Sequence, residues 1–309
     1  MIDNYRFKTK PFEHQKEALK RSWAAKTYAL FMEMGTGKSK VLVDNIAMLY
    51  DRGAIRGAVI DLKILIINIE AFSTKKGLDF ATRFLNIFLG KALIGIDEST
   101  TIKNPTAKRT KSILKIGNLA SYRRILTGSP VTKSPLDLYS QCEFLDPWHL
   151  GHSSYYSFRS RYAHMVDRNF GGKRVQLVVS YRKLPELSEK LNKFSYRVLK
   201  EDCLDLPPKL FTRRTVELTD EQKKVYAQMK SLAMAFTEDG KVMSTVNVMT
   251  QLMRLHQVTC GTFKADDGTI THLENNRVQA LMDSIEDVEG KVIIWANYRE
   301  DIKKIADAL

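Results

Sequence analysis

Apolar and polar positions follow two different periods along this chain, and the switches between them mark its elements. Phe12, Gln15, Ala18 and Leu19 recur at helical spacing, which predicts a helix over residues 11–21. The unbroken run Tyr28-Ala29-Leu30-Phe31 predicts a buried strand over 28–32, and 40–49 reads as a helix. Residues 77–89 are amphipathic. Residues 92–96 read as a strand ending in Asp97-Glu98, 104–118 as a helix and 124–127 as a strand. The order β-α-β-α-β-α-β, with Gly, Ser and Thr at strand ends, predicts an α/β fold built on an open parallel sheet.

One junction breaks the pattern. Gly57-Ala58-Val59-Ile60 reads as a strand, and residues 62–68 read as another buried strand. Parallel neighbours need a crossover of about a dozen residues, and no Gly or Asn supports a tight hairpin here. One continuous strand, an irregular hairpin or a crossover missing between Ile60 and Asp61 would each account for it. The missing crossover is the expectation.

From Tyr155 onward, helical stretches alternate with Gly-bearing turns at Phe170-Gly171-Gly172-Lys173, Asp239-Gly240 and Asp266-Asp267-Gly268. Residues 220–236 are amphipathic, with Val225, Met229, Leu232 and Met234 among the apolar positions. Residues 291–295 read as a strand and 300–309 as a helix. The expected organisation is a first α/β lobe over 1–150, helical insertions and a linker over 151–289, and the truncated start of a second α/β lobe over 290–309.

Bulk composition narrows the class. A length of 309 residues favours two domains, and 44% apolar with 27% charged residues is a globular balance. No apolar run approaches the roughly 20 residues of a membrane span, and Met1-Ile2-Asp3-Asn4-Tyr5-Arg6 has no signal-peptide core. Cys142, Cys203 and Cys260 are odd in number and far apart, which argues against a disulfide framework and fits a reducing, cytoplasmic setting. Lys plus Arg number 49 against 35 for Asp plus Glu, a net charge of +14. That surplus favours a polyanionic partner, and its spread along the chain suits a folded groove better than a basic tail.

Three short segments carry chemistry. Met32-Glu33-Met34-Gly35-Thr36-Gly37-Lys38-Ser39 lies between a predicted strand and a predicted helix. Glycines there let backbone N–H groups turn inward around phosphate, and the helix N-terminus adds its positive end. Lys38 would reach the outer phosphates and the Ser39 hydroxyl would hold Mg²⁺. Met32 stands where the full motif has its first glycine. Asp97-Glu98, at the carboxyl end of a strand, would give Asp97 to the metal through water and Glu98 to the attacking water. Leu126-Thr127-Gly128-Ser129-Pro130 breaks a strand at the same edge. His149, His152 and His164 with Cys142 fit no standard zinc spacing and read as loop histidines. Trp148, Tyr155, Tyr156, Phe158 and Tyr162 read as the core of a helical insertion.

In this order the segments resemble superfamily two helicases, and within them the Swi/Snf family of double-stranded DNA translocases. Pro11-Phe12-Glu13-His14-Gln15 resembles the adenine-contacting segment, with Gln15 in the glutamine place. Gly35, Thr36, Gly37, Lys38 and Ser39 form the nucleotide loop, and Asp97-Glu98-Ser99-Thr100 the acidic box. Ile102-Lys103-Asn104-Pro105 with Ala107-Lys108 is a family hallmark, and Phe144-Leu145-Asp146-Pro147 is similar in kind. Arg197, Lys200, Asp202 and Leu206-Pro207-Pro208-Lys209 resemble the linker before the second lobe. Leu255-His256-Gln257-Val258 and the stretch 291–299 resemble second-lobe segments.

The resemblance implies RecA-like lobes, ATP and Mg²⁺ as cofactors, and a DNA-dependent ATPase motor on double-stranded or branched DNA. It also implies a monomer, in a bacterial or virus-infected cell. Asn68 to Lys76 would sit on the DNA face, with Ser73 and Lys75 as phosphate contacts. Lys103 and Lys108 are either further phosphate contacts or solvated helix charges. Thr100 replaces the family's histidine, and the arginine finger would lie beyond Leu309. The chain alone is therefore expected to bind ATP and hydrolyse it poorly. The alternative is a non-hydrolysing ATP- and DNA-binding module that acts as a conformational switch. A small-molecule kinase is disfavoured by the positive charge and by Ile102-Lys103-Asn104-Pro105.

Overall fold

Strand β1 (Thr27–Met32) is apolar on both faces because both are covered. Tyr28, Leu30 and Met32 meet Ala18 and Leu19 of helix α1 (Glu13–Ser22) and Val41 and Met48 of helix α2 (Lys38–Asp51). Ala29 and Phe31 face the opposite, larger core. This alternation is the period-2 geometry of a strand buried between helical layers. The computed structural model describes residues 2, 5–55, 62–88, 90–170, 173–238, 245–264, 269–286 and 288–309. It divides the chain into two units, Met1–Pro207 and Pro208–Leu309.

In the first unit β1 pairs in parallel with β3 (Tyr122–Leu126) and β6 (Ser195–Val198), and β3 with β2 (Leu93–Asp97). The four-stranded order is β2-β3-β1-β6. Leu30 lies opposite Leu126, and Leu126 opposite Asp97. The three strand ends therefore deliver the phosphate-loop segment, the acidic pair and the Thr127 turn to one edge. Helices α3 (Lys75–Ile87), α4 (Lys108–Gly117), α5 (Leu138–Leu145) and α6 (Tyr155–Tyr162) build the larger core around Ile113, Ile116, Phe144 and Phe158. The α/β fold with a parallel sheet is thus observed as expected.

Other expectations are corrected. Residues 62–68 are not a buried strand: they form no ladder, and Ile64 and Ile66 are 66% and 92% exposed. An apolar run becomes a strand only where a neighbour accepts its backbone hydrogen bonds, and no described strand does so. The Ile60–Asp61 junction and the expected strand before it lie outside the described residues. The stretch after Tyr155 is not helical throughout. Strands β4 (Ala163–Phe170) and β5 (Lys173–Tyr181) form an antiparallel hairpin with a bulge between His164 and Met165. Val166, Val175, Val178 and Val179 favour strands, and a Gly-Gly pair between two such runs signals a hairpin. Gly171 and Gly172 themselves lie outside the described residues.

The aromatic residues split. Phe158 and Tyr162 are fully buried, whereas Trp148 and Tyr156 are exposed. His149 stacks on Phe194 at 4.0 Å and its Nε2 meets Thr27 Oγ1 at 2.8 Å. Helix α7 (Leu184–Asn192) anchors the hairpin's base, where Glu186 accepts from Arg161 at 2.5 Å and from Tyr162 at 3.0 Å. A four-residue helix, α8 (Lys200–Cys203), follows β6.

The second unit contains α9 (Asp220–Glu238), α10 (Thr245–Thr259), the small antiparallel pair β7 (Thr262–Lys264) and β8 (Ile270–His272), α11 (Arg277–Ile285) and α12 (Arg299–Ala308). Buried Gln222 ties α9 to α10 by donating to Val258 O at 2.9 Å. The expected strand over 291–295 is absent, and Ile293 and Trp295 are 79% and 90% exposed. No strand among the described residues pairs with it, so its backbone has no ladder to join.

Candidate nucleotide site at the sheet edge

Two glycines shape the loop after β1. Gly35 and Gly37 sit at φ 85° and 84°, a region that side chains with a Cβ rarely enter. Thr36 is buried, and both its N–H and its hydroxyl donate to Glu33 O, at 3.2 and 2.8 Å. Helix α2 then begins at Lys38 with no side-chain cap. Its first-turn N–H groups therefore remain as donors, with the positive end of a 14-residue helix behind them.

Gln15 locks the loop from behind. Its Nε2 donates to Thr36 O at 3.1 Å and its Oε1 accepts from Phe12 N at 3.0 Å. The His14 ring also meets Thr36 O, at 2.8 Å, and stacks on exposed Phe12. A Cβ built on Gly37 would lie 2.2 Å from Gln15 Nε2, so a side chain there would displace Gln15.

The acidic pair comes to the same place. Glu98 turns out of β2 at φ 49°, ψ 56°, and its Oε1 lies 2.9 Å from Lys38 Nζ. Lys38 is buried while Glu98 is half-exposed, so one end of the pair is protected from water. Glu98 Oε2 accepts from Thr127 Oγ1 at 3.3 Å. Asp97 is exposed and holds the Glu98 N–H on Oδ1 at 3.0 Å. Ser39 is likewise exposed, one residue into α2. The Thr127–Ser129 turn presses on the loop: a Cβ on Gly128 would lie 3.2 Å from Glu33 Cα and 3.3 Å from Met34 N.

The donor set suits a magnesium polyphosphate. Uncapped amides and an ammonium match phosphate oxygens, while a hydroxyl and a carboxylate are the hard oxygen ligands Mg²⁺ prefers. Lys38, Glu98 and Thr127 are in direct contact, and Gln15, Thr36 and Gly37 form the wall behind them. Asp97 and Ser39 share the edge.

Some participants were not visible in the sequence. Gln141 accepts from Ser99 Oγ at 2.8 Å and donates to Pro130 O and Asp137 O, each at 2.8 Å. It therefore joins the acidic box to the Thr127 turn. Its only signal was a polar residue inside an apolar helix. Glu33 accepts from Lys200 N at 2.7 Å, a partnership between remote segments that no spacing rule anticipates.

The residues expected to contact DNA lie on neighbouring elements of the first unit. Ser73 ends a short 3-10 turn (Ile69–Ser73) and Lys75 opens α3; both are exposed. Lys108 opens α4, also exposed, and the Arg109–Glu70 ion pair fastens α4 to that turn. Lys103 is engaged by Thr132 and lies 3.8 Å from Asp137 Oδ2.

A family model described as the SNF2-related domain matches residues 59–263. The match includes Asp97, Glu98 and Lys200 and begins after the phosphate loop. TATA-binding protein-associated factor MOT1 of Saccharomyces cerevisiae is 36% identical over 134 residues, covering 42% of this chain and 7% of that protein. The DNA annealing helicase and endonuclease ZRANB3 of Mus musculus is 33% identical over 153 residues, 49% of this chain and 14% of that protein. The solved SWI2/SNF2 ATPase core of Sulfolobus solfataricus in complex with dsDNA has 22% identity and a TM-score of 0.48, covering 83% of this chain and 60% of that one. The chain thus spans only a small part of the curated relatives it matches. Among the described residues, no helix is long and apolar enough to cross a membrane.

Proposed function

The chain belongs to the SNF2-related domain family, and from that premise we propose that it is the ATP-binding part of a DNA-dependent ATPase motor acting on double-stranded or branched DNA. The observation that carries this reading is the 2.9 Å approach of Lys38 Nζ to Glu98 Oε1 at an edge shared with the uncapped start of α2. A relative whose name makes it a DNA annealing helicase, and the +14 charge, support DNA as the polyanion.

Each residue's part follows from its chemistry. Loop amides from Gly35 to Ser39 and the Lys38 ammonium hold phosphates. Ser39 and, through water, Asp97 hold Mg²⁺, which when bound neutralises charge developing on the phosphoryl oxygens. An ammonium drawn toward phosphate leaves the Glu98 carboxylate with Thr127, free to orient and deprotonate water. Gln15 holds the loop and would read adenine. Ser73, Lys75, Lys103 and Lys108 contact the DNA backbone, so binding is blind to sequence and weakens with salt. RecA-like lobes joined by helical insertions, with hydrolysis in the cleft between lobes, complete the proposal.

The test is ATP turnover by the full-length protein with single-stranded, duplex and forked DNA. Stimulation by duplex or forked DNA is expected. Tight ATP binding with no turnover under any condition would replace the motor by a conformational switch.

A further inference from the structure

The phosphate loop has a second ammonium beside it. Strand β6 runs along β1 with Val198 opposite Met32, so the chain leaving β6 arrives at the loop. Glu33 N donates to Val198 O at 3.1 Å, and Lys200 N donates to Glu33 Oε2 at 2.7 Å. This two-way clasp fixes the Lys200 backbone against the loop's first turn. Its side chain then lies over the loop: a Cβ built on Gly35 would sit 3.2 Å from Lys200 Cε and 3.5 Å from Nζ.

The two loop cations are in different situations. Lys38 is neutralised by Glu98 at 2.9 Å, whereas the Lys200 ammonium has no ion-pair partner among the described residues. An unpaired ammonium held against inward-turned amides adds positive potential where the helix end already supplies it. Such an accumulation is favourable only toward an anion. Gly35 leaves room for the Lys200 stem, and any side chain there would compete with it.

We propose that Lys200 is a second phosphate ligand of the loop, gripping the polyphosphate of the nucleotide together with Lys38. This rests on the nucleotide reading given above. Because Lys200 opens the segment that leaves the first unit at Pro207, its grip makes that segment sense whether polyphosphate is bound.

The test is equilibrium binding of ATP, ADP, pyrophosphate and adenosine to the wild type, Lys200→Ala, Lys200→Gln, Lys200→Arg and Lys38→Ala. Loss of one charge-assisted contact predicts about tenfold weaker binding of ATP, ADP and pyrophosphate to the Ala and Gln variants. Adenosine affinity and the nucleotide-free unfolding midpoint should be unchanged, and Arg should restore most of the binding. The Gln variant keeps the stem, so a packing defect in the Ala variant would show as a difference between the two. Wild-type affinity for all three phosphates in the Gln variant, or an equal loss for adenosine, would overturn the proposal while leaving the nucleotide reading intact. If Lys38→Ala binds as the wild type does, the nucleotide reading fails and the Lys200 proposal with it.

Discussion

Replacing Gly37 with alanine tests how the loop is locked. The residue sits at φ 84°, where a Cβ costs about 1–2 kcal/mol of backbone strain. The new methyl would also fall 2.2 Å from Gln15 Nε2. Gln15 is 3% exposed and its amide is held by bonds to Phe12 N and Thr36 O, so making way for the methyl means giving those bonds up. They are worth about 1 kcal/mol each. His14 still serves Thr36 O, which keeps that carbonyl from being orphaned. The sum is about 3–4 kcal/mol for Gly37→Ala, read as a shift in the urea unfolding curve.

The double variant decides the mechanism. Gln15→Ala alone should cost about 2 kcal/mol through the same two bonds. With Gln15 already gone, Gly37→Ala should add only the strain, about 1–2 kcal/mol. The two changes are then sub-additive by about 2 kcal/mol. Costs that simply add, within about 0.5 kcal/mol, would refute the claim that Gln15 is what excludes a side chain at Gly37.

Glu98→Gln should retain ATP binding and stop turnover in the full-length protein; intact turnover would remove Glu98 from its role with water. Arg124 is fully buried with no carboxylate partner among the described residues, and burial pushes its pKa down to about 10. It donates to Asn45 Oδ1 and to the carbonyls of Ser22, Ala25, Lys26 and Arg123 at 2.7–3.2 Å. Arg124→Met should therefore cost about 3 kcal/mol or more by chemical denaturation, since several carbonyls lose a buried donor. Glu186 is held at about 2, below its usual 4.5, chiefly by its hydrogen bond from Arg161. A lowered carboxyl stabilises the fold above the unfolded value and stops doing so as pH falls toward the folded one. The stability gap between the wild type and Glu186→Gln should be flat above pH 4.5 and close toward pH 2; a gap that persists at pH 2 would contradict this.

Local signals made the first unit's sheet readable. β1 announced itself because a strand covered on both faces must be apolar throughout, and the phosphate loop because two glycines and Lys-Ser follow such a strand; β3, which carries Arg123 and buried Arg124, showed only through its apolar end at Ile125 and Leu126. Glu98 was readable for the same reason, as a carboxylate where an apolar strand ends. What escaped was set by pairing between distant segments. Residues 62–68 and 291–295 have the composition of strands but no ladder partner among the described residues. The hairpin of β4 and β5 is solvent-facing over much of its length, so Arg168 and Arg174 interrupt the apolar alternation. Glu33 with Lys200, and Ser99 with Gln141, join positions whose proximity arises only when β6 docks on β1 and α5 packs beneath the acidic box.

The most direct measurement is the affinity of the protein for ATP in the presence of Mg²⁺, compared between the wild type and Lys38→Ala. A bound nucleotide displaced by excess ATP in the wild type, and binding lost in Lys38→Ala at an unchanged unfolding midpoint, is the predicted result. Equal affinity in both proteins would contradict the convergence of the loop, the acidic pair and the Thr127 turn on one polyphosphate.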